Sequence, residues 1–197
     1  GAHDYGFSPG THFAGDSPGE LGGMLWRGGD DSFYADRVGP LTMRDRLEAR
    51  GKILLVVGGP DSSCCLGFFS REGKNNATPD KAGDFIGVQI GGPTRIGHYF
   101  APAYATRGTG GHANSGPILT PGKVFEWSLA FDPAANGGHG EIRVTLGHES
   151  ATLPLGKGVA AASTRLDHFG LFTPQNGGQA VKVYLDDLKY SAASPAH

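Results

Sequence analysis

The sequence predicts an all-β chain folded as a sandwich of antiparallel strands, and three observations carry that expectation. Apolar residues recur with period two over short segments, the spacing of a strand with one buried and one wetter face. The 34 glycines and 13 prolines fall largely between those segments and punctuate turns. Little of the chain shows the spacing of an amphipathic helix. At 197 residues there is enough chain for one well-buried core, so residues 1–197 are read as a single domain.

Taken in order, residues 1–19 are polar and interrupted by Pro9 and Pro18, which predicts a segment wrapping the surface before the first strand. "GELGGMLWRG" then reads as a strand through Trp26, and "SFYADRVG" as a second short one. "RDRLEARG" could contain a helical turn, yet Leu47 and Ala49 alternate with Arg46, Glu48 and Arg50, which favours a strand. "KILLVV" is apolar almost throughout, as expected for a strand buried on both faces. "CCLGFFS" and "DFIGVQIGG" continue the pattern, and "RIGHYFAPAYATR" reads as one long strand.

The Gly/Ser/Asn-rich stretch from Arg107 to Gly122 is the longest expected loop. In "KVFEWSLAFDP", Phe125, Trp127, Leu129 and Phe131 face one way, and Val124, Glu126, Ser128 and Ala130 the other. "AANGGHG" is a hairpin turn, and "EIRVTLGHESATLPL" gives two strands joined near Gly147. "LDHFGLFTP" and "AVKVYLDDLKYS" complete about a dozen strands with no repeat of fixed period, ahead of a tail at 192–197.

Charge and composition exclude several classes. A net charge of −2 gives no basic face for nucleic acid, and no apolar run approaches the length of a membrane span. The eight histidines lack the close pairs of a zinc site. Cys64 and Cys65 are neighbours, so on a regular strand they point to opposite faces as free thiols; a strained vicinal disulfide is the alternative. The chain begins at Gly1, which reads as a processed or excised form in which no signal peptide survives.

The segments "VFEWSLAFDPAANGGHGEIRVTLGHESATLPL", "DHFGLFTP" and "VYLDDLKYS" resemble the C-terminal half of concanavalin A-like, laminin G-like jelly rolls, over roughly residues 120–191. The N-terminal half looks like bacterial secreted or surface proteins of unassigned role. The resemblance implies a jelly roll of two antiparallel sheets and a secreted or cell-envelope location. It names no activity, since lectins, carbohydrate-binding modules, glycosidases and polysaccharide lyases share the architecture. It also implies a cofactor. In many such domains an acidic residue of the first strand and the first Asp of a closing "DD" strand meet around a structural calcium, and Glu20 and Asp186 are the matching positions. The alternative is that Glu20, Asp186 and Asp187 are solvated strand ends.

The densest group of site candidates is "GGPTRIGHYFAPAYATR", with Arg95, His98, Tyr99, Tyr104 and Arg107. On one strand Arg95 and Tyr99 share a face about 13 Å apart, and His98 and Phe100 take the other. An arginine and a tyrosine on a concave sheet face, extended by Trp26 or Arg27 from another strand, suit a sugar: the ring meets its CH face and the guanidinium its hydroxyls or carboxylate. The alternative is that the aromatics are core and the arginines snorkel to solvent.

A retaining glycosidase needs two carboxylates about 5 Å apart, which laminarinase-like jelly rolls present from one strand as E.D..E, and no such motif occurs. A lyase needs a base and a group that neutralises a uronate carboxylate. Gln89, Arg95, His98 and Tyr99 supply the types, though not the order or spacing of alginate lyase motifs. "RGGDD" and "GGPDSS" read as loops, with Asp30, Asp31 and Asp61 as possible cation ligands. The expected function is non-catalytic binding of a polysaccharide or oligosaccharide on a concave sheet face. The alternatives are a polysaccharide lyase or glycoside hydrolase, and a structural or adhesion module.

Overall fold

The computed structural model describes residues 4–26, 32–70, 83–106, 109–160, 163–173 and 179–193. Two antiparallel sheets face each other, as the strand periodicity requires. The first sheet is ordered β1 (Asp4–Ser8), β2 (Glu20–Trp26), β14 (Ala180–Ala193), β4 (Arg46–Gly58), β10 (Val124–Asp132), β11 (Glu141–Leu146), β12 (Glu149–Pro154). The second is ordered β3 (Phe33–Leu41), β13 (Leu166–Phe172), β5 (Ser63–Phe69), β6 (Phe85–Thr94), β7 (Gly97–Thr106), β8 (Thr109–His112), and β9 (Ile118–Leu119) also pairs with β7.

The core lies between the sheets. Leu47, Ile53, Leu55, Trp127, Leu129, Phe131, Val181, Val183 and Leu185 enter it from the first sheet. Cys64, Leu66, Phe68, Ile86, Val88, Ile90, Phe100 and Leu171 enter it from the second. Each large side chain buried there contributes about 1.5–3 kcal/mol of transfer free energy. A second apolar cluster, Cys65, Phe69, Phe85, Ala103, Ala105 and Phe172, sits on the opposite, outer face of the second sheet. Consecutive residues of β5 therefore supply two cores, and the two cysteines, both free, point to opposite faces as expected.

Several elements differ from the sequence expectation. Asp4–Ser8 form an edge strand on β2 instead of a surface wrap. The stretch expected as a loop contains β8 and β9, while Arg107 lies outside the described residues. "KILLVV" does not stay buried on both faces: Val56 and Val57 are exposed where β4 has run past β10 and its register with β14 shifts between Leu55 and Val57. "RIGHYFAPAYATR" begins with a turn at Arg95–Ile96, and β7 starts only at Gly97. The "AANGGHG" connection joins β10 to β11 through a single helical turn, Ala135–Gly138, with Asn136 and Gly137 at φ 53° and 65°.

The two adjacent aspartates are not at a strand end. β14 continues to Ala193, and its pairing with β4 shifts between Asp186, opposite Lys52, and Lys189, opposite Arg50. Asp187 takes φ 52°, a left-handed conformation that Asp tolerates better than most residues. Asp187 and Leu188 thus stand against the single residue Gly51 as a β-bulge, which explains a second carboxylate inside a strand. The Lys52 ammonium contacts Asp187 at 3.1 Å and Asp16 at 2.7 Å, and these contacts hold its pKa above the usual lysine range.

Candidate functional site

The outer face of the second sheet is laid out by its register. One row across β5, β6 and β7 is Ser63, Gly91, Tyr99, and the next is Cys65, Gln89, Ala101. A third is Gly67, Gly87, Ala103, continued by Gly170 of β13 and by His112 of β8. The fourth is Phe69, Phe85, Ala105. The missing side chain at Gly87 lets the Phe85 ring lie back on the sheet: a Cβ there would sit 2.7 Å from Phe85 Cε2. Phe69, Phe85 and Phe172 then pack together, with Phe172 at centroid distances of 4.6 Å from Phe69 and 5.1 Å from Phe85.

At the polar end of this face is a cavity of about 330 Å³. Gln89 and Tyr99 rise from the sheet, Ser63 and Asp61 come from the start of β5 and the turn before it, and His112 and Asn114 from the end of β8 and the chain beyond. Gly91, Gly92, Ala101 and Ala113 leave the floor low. The turn follows from "GPDS": Pro60 and Asp61 are its central residues, Asp61 has φ 57°, and the Ser62 N–H closes it on the Gly59 carbonyl at 3.2 Å. Ser63 is 4% exposed, and its Oγ has no hydrogen-bond partner among the described residues.

Beneath the cavity His98 points into the sandwich, as the alternation with Tyr99 requires, and is 2% exposed. Its Nε2 is 2.7 Å from Ser62 Oγ, and that hydroxyl donates to the Gly59 carbonyl at 2.7 Å. The ring lies in a slot between Gly58 of the first sheet and Gly92 of the second: Cβ atoms there would approach His98 Cε1 to 2.1 Å and 2.7 Å. Burial pushes the His98 pKa down, partly opposed by its bond to the Gly97 carbonyl. Enclosure makes His98 a support for the turn that carries Asp61 and Ser63, in place of the ligand or base role expected for it.

The other expected site residues scatter. Gln89 and Tyr99 line the cavity. Arg95 is exposed on the β6–β7 turn and shares no strand face with Tyr99, because the strand breaks there. Tyr104 packs against the inner core. Trp26 ends β2 in the opposite sheet, so it cannot extend a site on this face. Arg27, Asp30, Asp31 and Arg107 lie outside the described residues. Sequence reading missed Ser63, His112 and Asn114. Counting back from Cys65 places Ser63 on the outer face, but His112 and Asn114 sit in a Gly-rich stretch with no periodicity to place them.

Glu20 and Asp186 do come together, because β2 pairs with β14 and Leu21 faces Leu185. Both line a second cavity of about 280 Å³, along with Phe7, Tyr34 and Tyr190. Their contacts are protein donors. Glu20, 2% exposed, accepts the Phe13 and Ala14 N–H groups at 3.0 and 2.9 Å, and Asp186 Oδ1 accepts the Asp187 N–H at 2.6 Å. No cluster of three or more His, Cys, Asp or Glu suited to a metal occurs among the described residues.

No known protein family profile matches the sequence, and no curated protein matches it. Solved structures do. A family 7 alginate lyase, A1-II′, in complex with a product (GGG) superposes with a TM-score of 0.59 at 11% identity, over 98% of this chain and 86% of that one. The same lyase in complex with a substrate (GGMG) gives a TM-score of 0.56 at 12% identity, over 100% and 85%. An endo-β-1,4-glucuronan lyase from the fungus Trichoderma reesei gives 0.57 at 11% identity, over 98% and 88%. The fold is the concanavalin A-like jelly roll. At such identities the likeness establishes that jelly roll and leaves its chemistry to the cavity.

Proposed function

We propose that this jelly roll binds carbohydrate in the cavity at the polar end of its second sheet. The observation that carries the reading is the convergence of Gln89, Tyr99, His112 and Asn114 over a floor of glycine and alanine. Amide, phenol and imidazole groups donate to and accept from sugar hydroxyls, and the small floor leaves room for the ring. The structural neighbours support the reading, since solved complexes of one of them hold an oligosaccharide substrate or product. Screening on a glycan array followed by calorimetric titration tests it. Wild type is expected to bind a glycan without forming product, and Tyr99→Ala to weaken binding with the fold intact. Loss of thermal stability in Tyr99→Ala with unchanged binding would sink the assignment.

A lyase is the second reading, favoured by the presence of Tyr99, His112 and Gln89 in one cavity. A base there would remove the proton α to a uronate carboxylate. The electron pair would form a carbon–carbon double bond, and the glycosidic oxygen would leave and be protonated. It ranks second because no lysine or arginine lines the cavity among the described residues, while Asp61 does. Incubation with uronate polymers decides: rising ultraviolet absorbance that Tyr99→Phe abolishes, with binding retained, would promote the lyase.

Calcium at Glu20 and Asp186 is a separate proposal. The two carboxylates are adjacent across β2 and β14, and backbone carbonyls of the N-terminal segment would complete the oxygens calcium takes. Their bonds to the N–H groups of Phe13, Ala14 and Asp187 already occupy part of their capacity. Calcium added to metal-stripped protein is expected to raise the melting temperature; no response would mean that these N–H groups suffice. A secreted or cell-envelope location accompanies the carbohydrate reading, and cell fractionation with an antibody tests it.

A further inference from the structure

We propose that the corner where β1 and β3 part is a docking site for a partner polypeptide, which inserts an arginine side chain among Phe7, Tyr34 and Tyr190 and pairs it with Asp36. No residue lining the cavity assigned above to carbohydrate lines this corner, so the two sites stand apart.

The core is unfinished here. Phe7 stands opposite Leu21, and Leu21 opposite Leu185, so Phe7 shares the inward face of the first sheet with both. Tyr190 stands opposite the buried Ala49 and shares that face too. In β3, Phe33 and Ala35 pack on the outer cluster of the second sheet and Val38 on the inner core, so Tyr34 and Asp36 point inward with Val38. Side chains that face a partner sheet ordinarily interdigitate with it. Phe7, Tyr34 and Tyr190 are instead 59%, 43% and 37% exposed, and all three border the cavity of about 280 Å³. The rings are held in place. Tyr190 stacks on Phe169 at a centroid distance of 4.3 Å and donates its hydroxyl to Asp36 Oδ2 at 2.8 Å. Tyr34 lies against Gly6, whose Cβ would meet the ring at 3.4 Å, and Phe7 against Gly19, at 3.6 Å. Walls ordered in advance favour binding.

Charge selects the occupant. The lining carries the carboxylates of Glu20, Asp36, Asp186 and Asp187 and, among the described residues, no lysine or arginine. Three of them are answered within the protein: Glu20 by the Phe13 and Ala14 N–H groups, Asp186 by the Asp187 N–H, and Asp187 by Lys52 at 3.1 Å. Asp36 forms no ion pair among the described residues, and the Tyr190 hydroxyl bonds its Oδ2, which leaves Oδ1 to a ligand. A planar guanidinium stacks on aromatic faces and donates from its edge to a carboxylate, which suits both features of the corner. A neutral sugar or an acyl chain would use the rings and leave the Asp36 charge unanswered. The polypeptide follows from the sheet edges. Among the described residues β1 pairs only with β2 and β3 only with β13, so both strands offer backbone groups to which an extended peptide can add.

The probes are N-acetylarginine amide, its neutral citrulline counterpart, and the pentapeptide acetyl-Gly-Val-Arg-Val-Gly-amide, each titrated with chelator present into the ¹⁵N-labelled full chain. N-acetylarginine amide is expected to shift the amides of Phe7, Tyr34, Asp36 and Tyr190 saturably, with little change at Gln89 and Tyr99. The citrulline compound should bind about tenfold more weakly, as a charge-assisted bond becomes a neutral one. Asp36→Asn should weaken the arginine compound about tenfold and leave the citrulline compound nearly unchanged. The pentapeptide should bind about tenfold or more tightly than the single residue, through its backbone. Should Asp36→Asn fail to fold, the comparison of arginine with citrulline on the wild type decides the charge. Equal binding of those two compounds, or an equal loss of both in Asp36→Asn, would overturn the arginine assignment. A pentapeptide no tighter than the single residue would overturn the polypeptide. No shift at this corner would overturn the site altogether and leave Asp36 as an inward charge that guards the β3 edge.

Discussion

Gly58→Ala probes how the two sheets are fastened beneath the cavity. The added Cβ would lie 2.1 Å from His98 Cε1 and 2.5 Å from Nε2, inside any tolerable contact, so the ring must leave its slot. Leaving breaks the 2.7 Å bond to Ser62, a residue with no exposed surface. Stranding these buried polar groups costs about 1–3 kcal/mol, and overpacking the slot costs about 1–3 kcal/mol more. The loss of about 2–6 kcal/mol is a large share of the about 5–15 kcal/mol that stabilises an ordinary domain. In urea denaturation, with m of about 2 kcal/mol/M, the midpoint should fall by about 1–3 M. A double-mutant cycle isolates the cause. In a His98→Ala background, where nothing fills the slot, Gly58→Ala should cost under about 1 kcal/mol. Equal costs in the two backgrounds would show that Gly58 has some other role and that the slot reasoning is wrong.

The His98 pKa is depressed in the folded state, so below about pH 6.5, where an unfolded histidine takes up a proton, the native state resists doing so. Stability should therefore fall as pH drops below that value, by up to about 1.4 kcal/mol per pH unit until the folded pKa is reached. His98→Gln should remove that component of the slope, and an unchanged slope would refute it. Burial pushes the Cys64 thiol up to about 12 and Cys65 well above its ordinary range. Both should resist alkylation in the native protein at mildly alkaline pH and both react in denaturant; rapid native labelling, or a mass two hydrogens short, would contradict the buried free thiols. At the bulge, Asp187→Gly should be near neutral, whereas Asp187→Val should cost about 1–3 kcal/mol in a denaturation experiment, because a β-branched residue resists the left-handed conformation. Equal effects would mean the bulge is not held by that backbone geometry.

The strands and their faces were readable wherever alternation was clean. "KVFEWSLAFDP" divides between core and solvent as its period implies, and Leu47 and Ala49 do the same in β4. Reading failed where a strand's limits depend on its neighbours. Val56 and Val57 look buried by composition, but β4 has passed the end of β10 there and its register with β14 shifts, which exposes them. Asp4–Ser8 has too few apolar residues to announce a strand and gains its place by pairing with β2. The "DD" oddity pointed to a special position, yet only the register with β4 reveals the bulge.

For the site, Tyr99 and Gln89 were legible from residue type and parity. Arg95 was misplaced because a hairpin turn interrupts what reads as one strand. His98 carried the chemistry of a site residue but serves the core, since its depth is set by Gly92 across the β6–β7 hairpin and by Gly58 on the opposite sheet. Ser63, His112 and Asn114 meet through pairings that no local pattern encodes.

The most direct test of carbohydrate binding at the polar end of the second sheet is a map of backbone amide shifts in ¹⁵N-labelled protein as a neutral oligosaccharide hit from the array is added. Saturable shifts are expected at Asp61, Ser63, Gln89, Gly91, Tyr99 and Asn114, with little change around Tyr34, Asp186 and Tyr190. Shifts centred on that second corner, or none at any ligand concentration, would contradict it.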